Sequence, residues 1–137
     1  ERIRTPKVTS AVSAVSMIAE VRQRMVQEQR AMGKSGAIVL EGRDIGTVVF
    51  PDADLKIFMV ANQRERAARR GKEMAAKGIA AEIDELEKEI VERDTKDATR
   101  SISPLTKAHD AIVLDTTDLT IEEQVEFIVK KAKEKLK

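Results

Sequence analysis

Three short apolar runs constrain this chain most: AIVL at residues 37–40, LKIFMV at 55–60 and AIVLD at 111–115. None alternates apolar with polar residues along its length, and each is bounded by turn formers. Gly36 and Gly42 flank the first, and Pro51 with Asp52, Ala53 and Asp54 precedes the second. Continuous apolar runs of this length are expected of strands covered on both faces, as in a parallel sheet. The segments between them follow the helical period instead. Buried strands alternating with helices predict an α/β fold, a parallel sheet flanked by helices. Three strands make a small sheet, so the expected fold is incomplete.

Thr5 followed by Pro6 is a helix start, with a side-chain cap and a proline at the first helical position. Val8, Val12 and Val15 then share a face, as do Ile18, Val21, Met25 and Met32 before Gly33. No proline or glycine lies between Ser10 and Gln29, so one bent helix or two helices fit equally. Asn62, with Glu65 three residues on, opens a helix running towards Gly78. Ile83, Leu86 and Ile90 mark another, expected to end near Asp94. Thr95 to Ala108 is the most loop-like stretch. Thr120 with Glu123 forms a capping box for a terminal helix with Ile121, Val125, Ile128, Ala132 and Leu136 on one face.

Composition excludes several classes. The 25 Lys+Arg and 24 Asp+Glu nearly balance, which argues against a uniformly basic nucleic-acid coat and an acidic solvating tail. Without cysteine there is no disulfide framework, thiolate metal site or cysteine nucleophile, and a single His109 excludes a histidine-rich metal site. Only three aromatic residues, Phe50, Phe58 and Phe127, are available to stack on single-stranded nucleic acid. No apolar run reaches the ~20 residues that span a membrane, and the simplest address is a reducing cytoplasm. The chain opens on Glu1 rather than Met, as a fragment or processed product would.

Chemistry-bearing residues cluster in a few places. Glu41-Gly42-Arg43-Asp44 directly follows the first apolar run, where open parallel sheets bind ligands at the strand ends. Its glycines let backbone approach a ligand, and Arg43 offers a planar fork suited to phosphate. A structural turn with a solvated ion pair is the competing reading. Residues 93–100 (RDTKDATR) carry Arg93, Asp97 and Arg100 close together; composition by itself reads this as a charged surface loop. Arg66, Arg69 and Arg70 lie on the helix opened by Asn62, where Arg66 and Arg70 repel unless an anion sits between them. Ser13 and Arg22 carry no signal alone. No G-x-x-x-x-G-K-[ST] phosphate loop occurs in the sequence.

The segments IRTPKVTSAVSAVS, EVRQRMVQEQRAM, EGRDIGTVVFPDADLKIF and KEIVERDTKDATRSISPLTKAHDAIVLDTTDLTIEE together resemble bacterial cytidylate kinases, which are P-loop nucleoside monophosphate kinases. The likeness covers nearly the whole chain. It implies a P-loop kinase fold, of which this chain is the larger C-terminal portion, lacking the first sheet strand and the phosphate loop. It also implies one domain over residues 1–137. Within it, 1–35 form a helical monophosphate-binding part, 36–60 core strands, 61–108 lid helices and loop, and 109–137 the last strand and terminal helix.

The implied activity is transfer of the γ-phosphate of ATP, with Mg²⁺, to CMP or dCMP. The implied partners are these nucleotides, with no nucleic acid and no membrane. The intact enzyme would be a monomer, while the truncated chain could self-associate and would be inactive alone. By the resemblance Ser13 and Arg22 face the cytosine ring, Arg43 meets the acceptor phosphate, and Asp44 lies near the base. Arg93 and Asp97 hold sugar and phosphate, and Arg100 completes the monophosphate site. Arg43, Arg93 and Arg100 form the expected catalytic set, and Arg69 and Arg70 match the lid that closes over ATP.

The chemistry is coherent: the cytosine amino group needs an acceptor such as Asp44 or Ser13, and its ring acceptors need a donor such as Arg22. Uracil would leave a buried acceptor unpaired, at about 1–3 kcal/mol. The alternatives are a nucleotide-binding module without catalysis and a related phosphotransferase acting on another small acceptor. Two departures from the family pattern stand out: Ala19 where many members have proline, and Gly71 inside the lid helix, where glycine costs ~1 kcal/mol relative to alanine.

Overall fold

The computed structural model describes residues 5–135; the side chains of Pro6, Lys7, Thr9, Ser10 and Ser13 lie outside that description, as does Leu136. The chain forms two compact units. One comprises residues 1–52 and 93–106, the other 53–92 and 107–137.

The first unit begins with α1 (Pro6–Val15), capped by Thr5, whose Oγ1 accepts from the Val8 N–H at 3.3 Å. α2 (Ala19–Met32) is a separate helix. Ile18 adopts an extended conformation, φ −74° and ψ 121°, so the break occurs without proline or glycine. Gly33 ends α2 where the Phe50 ring approaches so closely that a Cβ would collide with it. Residues 45–49 then form one π-helical turn, closed by the Phe50 N–H donating to the Ile45 carbonyl at 2.7 Å. Val49 in that turn is the most enclosed large side chain of the unit, at 1% exposure.

The expected strand at Ala37–Leu40 does not form. Ala37 takes a left-handed φ of 53° directly after Gly36 at 71°, which turns the run out of extended geometry at its start. Val39 is 99% exposed. A strand requires a neighbour to take its backbone hydrogen bonds, and among the described residues none pairs with this run.

The second unit holds the sheet. β1 (Ile57–Val60) and β2 (Ile112–Asp115) pair in parallel, with Ile57 opposite Ile112 and Val60 opposite Asp115. The Ile112 N–H to Lys56 and the Thr116 N–H to Val60 extend the ladder at its two ends, at 3.0 and 2.8 Å. This is the α/β class expected, with two of the three strands among the described residues. α3 (Gln63–Ala75) is capped by Asn62, which accepts from Arg64 N–H at 2.8 Å. Its Ala67 packs with Leu86 and Ile90 of α4, joined by Met74 and Ile83, to form the core. Gly71 leaves α3 unbroken and serves this packing, since a Cβ there would meet Ile83 Cδ1 at 2.8 Å. α5 (Ile121–Lys135) opens on the expected reciprocal box: Thr120 N–H donates to Glu123 at 2.8 Å, and Glu123 N–H to Thr120 Oγ1 at 3.2 Å.

α4 spans Ile83–Thr99, five residues beyond the end expected at Asp94, so the charged stretch from Thr95 begins as helix rather than loop. Its last two turns, from Arg93 on, belong to the first unit. Among the described residues no helix is long and apolar enough to cross a membrane.

Candidate functional site

Four stretches of the first unit build one cavity of about 160 Å³, the first being α1 and its C-cap with Val12 and Ser16. α2 contributes Arg22 and Gln29. The segment before the π turn contributes Gly42, Arg43 and Asp44, and the end of α4 contributes Arg93, Asp97 and Arg100.

Asp44 precedes the π turn and anchors it through its backbone carbonyl, which accepts from Val48 N–H at 2.8 Å. Its carboxylate makes no cap and is left to pair with Arg22. The side chains are 2% exposed for Asp44 and 14% for Arg22. One oxygen of the pair, Asp44 Oδ2, and one nitrogen, Arg22 Nε, are buried with no protein partner. Arg30, two turns along α2 from Arg22, donates Nη2 to the Val48 carbonyl at 2.6 Å and Nε to that of Val49 at 3.0 Å. α2 therefore carries Arg22 and also holds the turn that presents Asp44.

Arg93, Asp97 and Arg100 lie at spacings of four and three, one face of a helix. The helical reading of 95–99 is what brings them together. Asp97 is 5% exposed, and three guanidiniums surround its carboxylate. Arg43 Nε is at 3.0 Å, Arg100 Nη1 at 3.7 Å and Arg93 Nε at 3.8 Å. The chain beyond α4 folds back so that the Asp97 carbonyl accepts from Leu105 N–H at 2.7 Å and the Ser103 carbonyl accepts from Arg100 Nε at 2.5 Å. Ser103 takes a left-handed φ of 50° to allow this.

Burial, and then the positive charge of Arg22, lower the Arg100 pKa from its usual value; Asp44 and Asp97 act in the opposite direction. Four guanidiniums thus share a cavity with two carboxylates. The excess positive charge, with Arg93 Nε and Arg100 Nη2 buried and lacking a hydrogen-bond partner, is complementary to an anion.

The structure brings together Arg22, Arg43, Asp44, Arg93, Asp97 and Arg100, all singled out from the sequence. The Ser13 side chain lies outside the described residues, although its backbone is in α1. Arg69 and Arg70 belong to the second unit. Arg69 pairs with Glu65 at 3.1 Å and donates to Thr116 Oγ1 at 3.2 Å and to the Thr117 carbonyl at 3.3 Å. Arg70 pairs with Glu89 at 3.1 Å. Sequence reading missed Gln29, whose Oε1 is buried without a partner, and Ser16; both line the cavity. The only signal for Gln29 was its position two helical turns after Arg22 on one face of α2.

Among the described residues no three His, Asp or Glu side chains gather to hold a metal ion. The described residues therefore supply no side-chain set that would hold Mg²⁺ by themselves.

The cytidylate kinase family model matches residues 1–134. A cytidylate kinase of Lactococcus lactis subsp. lactis is 57% identical over 134 residues, covering 98% of this chain and 61% of the relative. Those of Streptococcus thermophilus and Streptococcus equi subsp. equi are 55% and 53% identical, covering 96% and 95% of this chain and 58% of each relative. The chain thus spans about 60% of the length of these curated relatives.

Proposed function

This chain belongs to the cytidylate kinase family, and we propose that its first unit binds the monophosphate acceptor of a kinase that moves the γ-phosphate of ATP to CMP or dCMP. One observation carries the reading: a nearly fully buried carboxylate and several guanidiniums share a cavity while presenting buried polar atoms that no protein group satisfies. Native interiors rarely leave such atoms unpaired, so they mark where a ligand completes the network.

The roles follow from the chemistry of each group. Asp44 Oδ2 accepts from the cytosine amino group, and Arg22 donates to the ring acceptors. Arg43, Arg93 and Arg100 receive the phosphate, with Asp97 holding the three guanidiniums at one point between turnovers. Phosphoryl transfer depends on positioning and charge stabilisation rather than covalent catalysis, and guanidiniums converging on the acceptor phosphate supply both. Arg69 and Arg70 are proposed to serve the ATP side, which would require them to exchange their present carboxylate partners for phosphate. ATP brings Mg²⁺ to the reaction.

A second reading applies to these 137 residues taken by themselves: nucleotide binding without phosphoryl transfer. It is favoured by the absence of a G-x-x-x-x-G-K-[ST] sequence. The two readings separate in one experiment. Thermal-shift titration with CMP, UMP and AMP is paired with a coupled ADP-release assay on the same chain. Selective stabilisation by CMP with near-background turnover supports nucleotide binding by this chain without catalysis. Robust turnover supports the kinase reading for the chain alone, and no CMP preference contradicts both.

A further inference from the structure

We propose that the outer face of α5 is a self-complementary surface on which two copies of this chain pair, antiparallel and related by a two-fold axis. The proposal is independent of the nucleotide reading.

α5 exposes three apolar side chains at successive steps of four: Ile121 at 73%, Val125 at 53% and Val129 at 43%. Steps of four keep to one side of a helix, so these residues form a stripe in contact with water. Glu122, Glu126, Lys130 and Lys133 are exposed and follow one side of that stripe. Glu126, Val129, Lys130 and Lys133, with Glu134, line a groove of about 470 Å³. The first four stand at i, i+3, i+4 and i+7, the spacing of a hole that receives one side chain of a facing helix.

The order of the charges selects the occupant. Acidic groups lie in the first half of the flank and basic groups in the second. The helix dipole favours that order in any helix, but it places no constraint on which side of the helix the charges take. Here they share the side of the stripe. Two copies running antiparallel about an axis near Phe127 seat Val125 of each in the hole of the other. Glu122, one turn before Val125, then comes level with the partner subunit's Lys133, and the symmetry makes the pair twice. A parallel arrangement would set Glu122 against the partner subunit's Glu122 and is disfavoured. A nucleic acid or an acidic membrane fits less well, because Glu122, Glu126 and Glu134 stand among the lysines. A contact between single helices lies at or below the small end of specific interfaces, roughly 1,200 Å². The dimer is therefore weak, with Kd on the order of 100 μM.

The experiment is sedimentation equilibrium of the unaltered chain, Val125→Asp, Lys133→Glu, Glu122→Lys and the double reversal, over two decades of concentration around that Kd. Circular dichroism and melting points check the fold of each. The unaltered chain is expected to show a reversible monomer–dimer equilibrium, and Val125→Asp to remain monomeric. Each single reversal sets like charges opposite twice and is expected to weaken the dimer about tenfold, while the double reversal restores it. The charge reversals decide the question should Val125→Asp not fold. A chain that stays monomeric at every concentration would overturn the proposal and leave the stripe to a different occupant. A dimer indifferent to Val125→Asp or to the single reversals would place the contact elsewhere, and a double reversal that fails to restore pairing would overturn the antiparallel register.

Discussion

Arg22 and Asp44 form an ion pair in which the carboxylate is almost completely enclosed, at 2% exposure, and still keeps one oxygen without a protein partner. A buried pair of this kind contributes little net stability when intact but is costly to break from one side.

Arg22→Ala should therefore destabilise the protein by about 3 kcal/mol, because it strands a buried charge. The same variant should weaken CMP binding, while the double change Arg22→Met with Asp44→Leu should recover most of the stability and none of the binding. Urea denaturation and CMP titration on the same preparations check both halves.

The excess of guanidinium over carboxylate in the cavity predicts a general anion site. Inorganic phosphate should raise the melting temperature, and added salt should reduce that effect as it screens the charge. Arg100→Met should abolish the phosphate response. A melting temperature equally insensitive to phosphate before and after the substitution would contradict the electrostatic account.

Arg30 donates to two carbonyls of the turn that presents Asp44. Arg30→Ala should cost roughly 1.5–3 kcal/mol, the value of hydrogen bonds from a charged donor. It should also lower the preference for CMP over UMP through the loosened Asp44. Binding isotherms that retain the full preference would confine Arg30 to stability.

Acid stability has a defined sign. The Arg64 hydrogen bond holds Asp84 below the usual carboxylate range, the Lys56 hydrogen bond does so for Asp110, and the Thr117 hydroxyl for Asp115. Groups depressed in the folded state stabilise it above their ordinary value of about 3.8, and that contribution is lost as pH falls through their lower folded values. Stability should fall on acidification below about pH 4, and Asp110→Asn should flatten the fall. Urea midpoints at pH 7, 4 and 3 test this.

The sequence made some of this visible and hid the rest for identifiable reasons. LKIFMV and AIVLD were readable as strands because apolar content and β-branching agree with the pairing each finds. AIVL has the same composition but no partner, and pairing belongs to two segments rather than one. The helical end of α4 was obscured because Thr95 to Arg100 has the charge and hydroxyl content of a loop; the i,i+4 spacing of Arg93 and Asp97 was the better guide. Arg22, Arg43 and Arg93 could be grouped only through family resemblance, since nothing local announces a convergence of three distant stretches. Gln29 and Arg30 were missed because one of three amides and one of three guanidiniums on a polar helix look like solvated surface.

The most direct test of the central claim, that the Arg22–Asp44 wall reads a cytosine base, is calorimetric titration of CMP and UMP into the unaltered chain and Asp44→Asn. The account predicts that the unaltered chain binds CMP at least about tenfold more tightly than UMP and that Asp44→Asn erases most of that difference. Equal affinity for the two nucleotides, or a preference for CMP that survives Asp44→Asn intact, would contradict it.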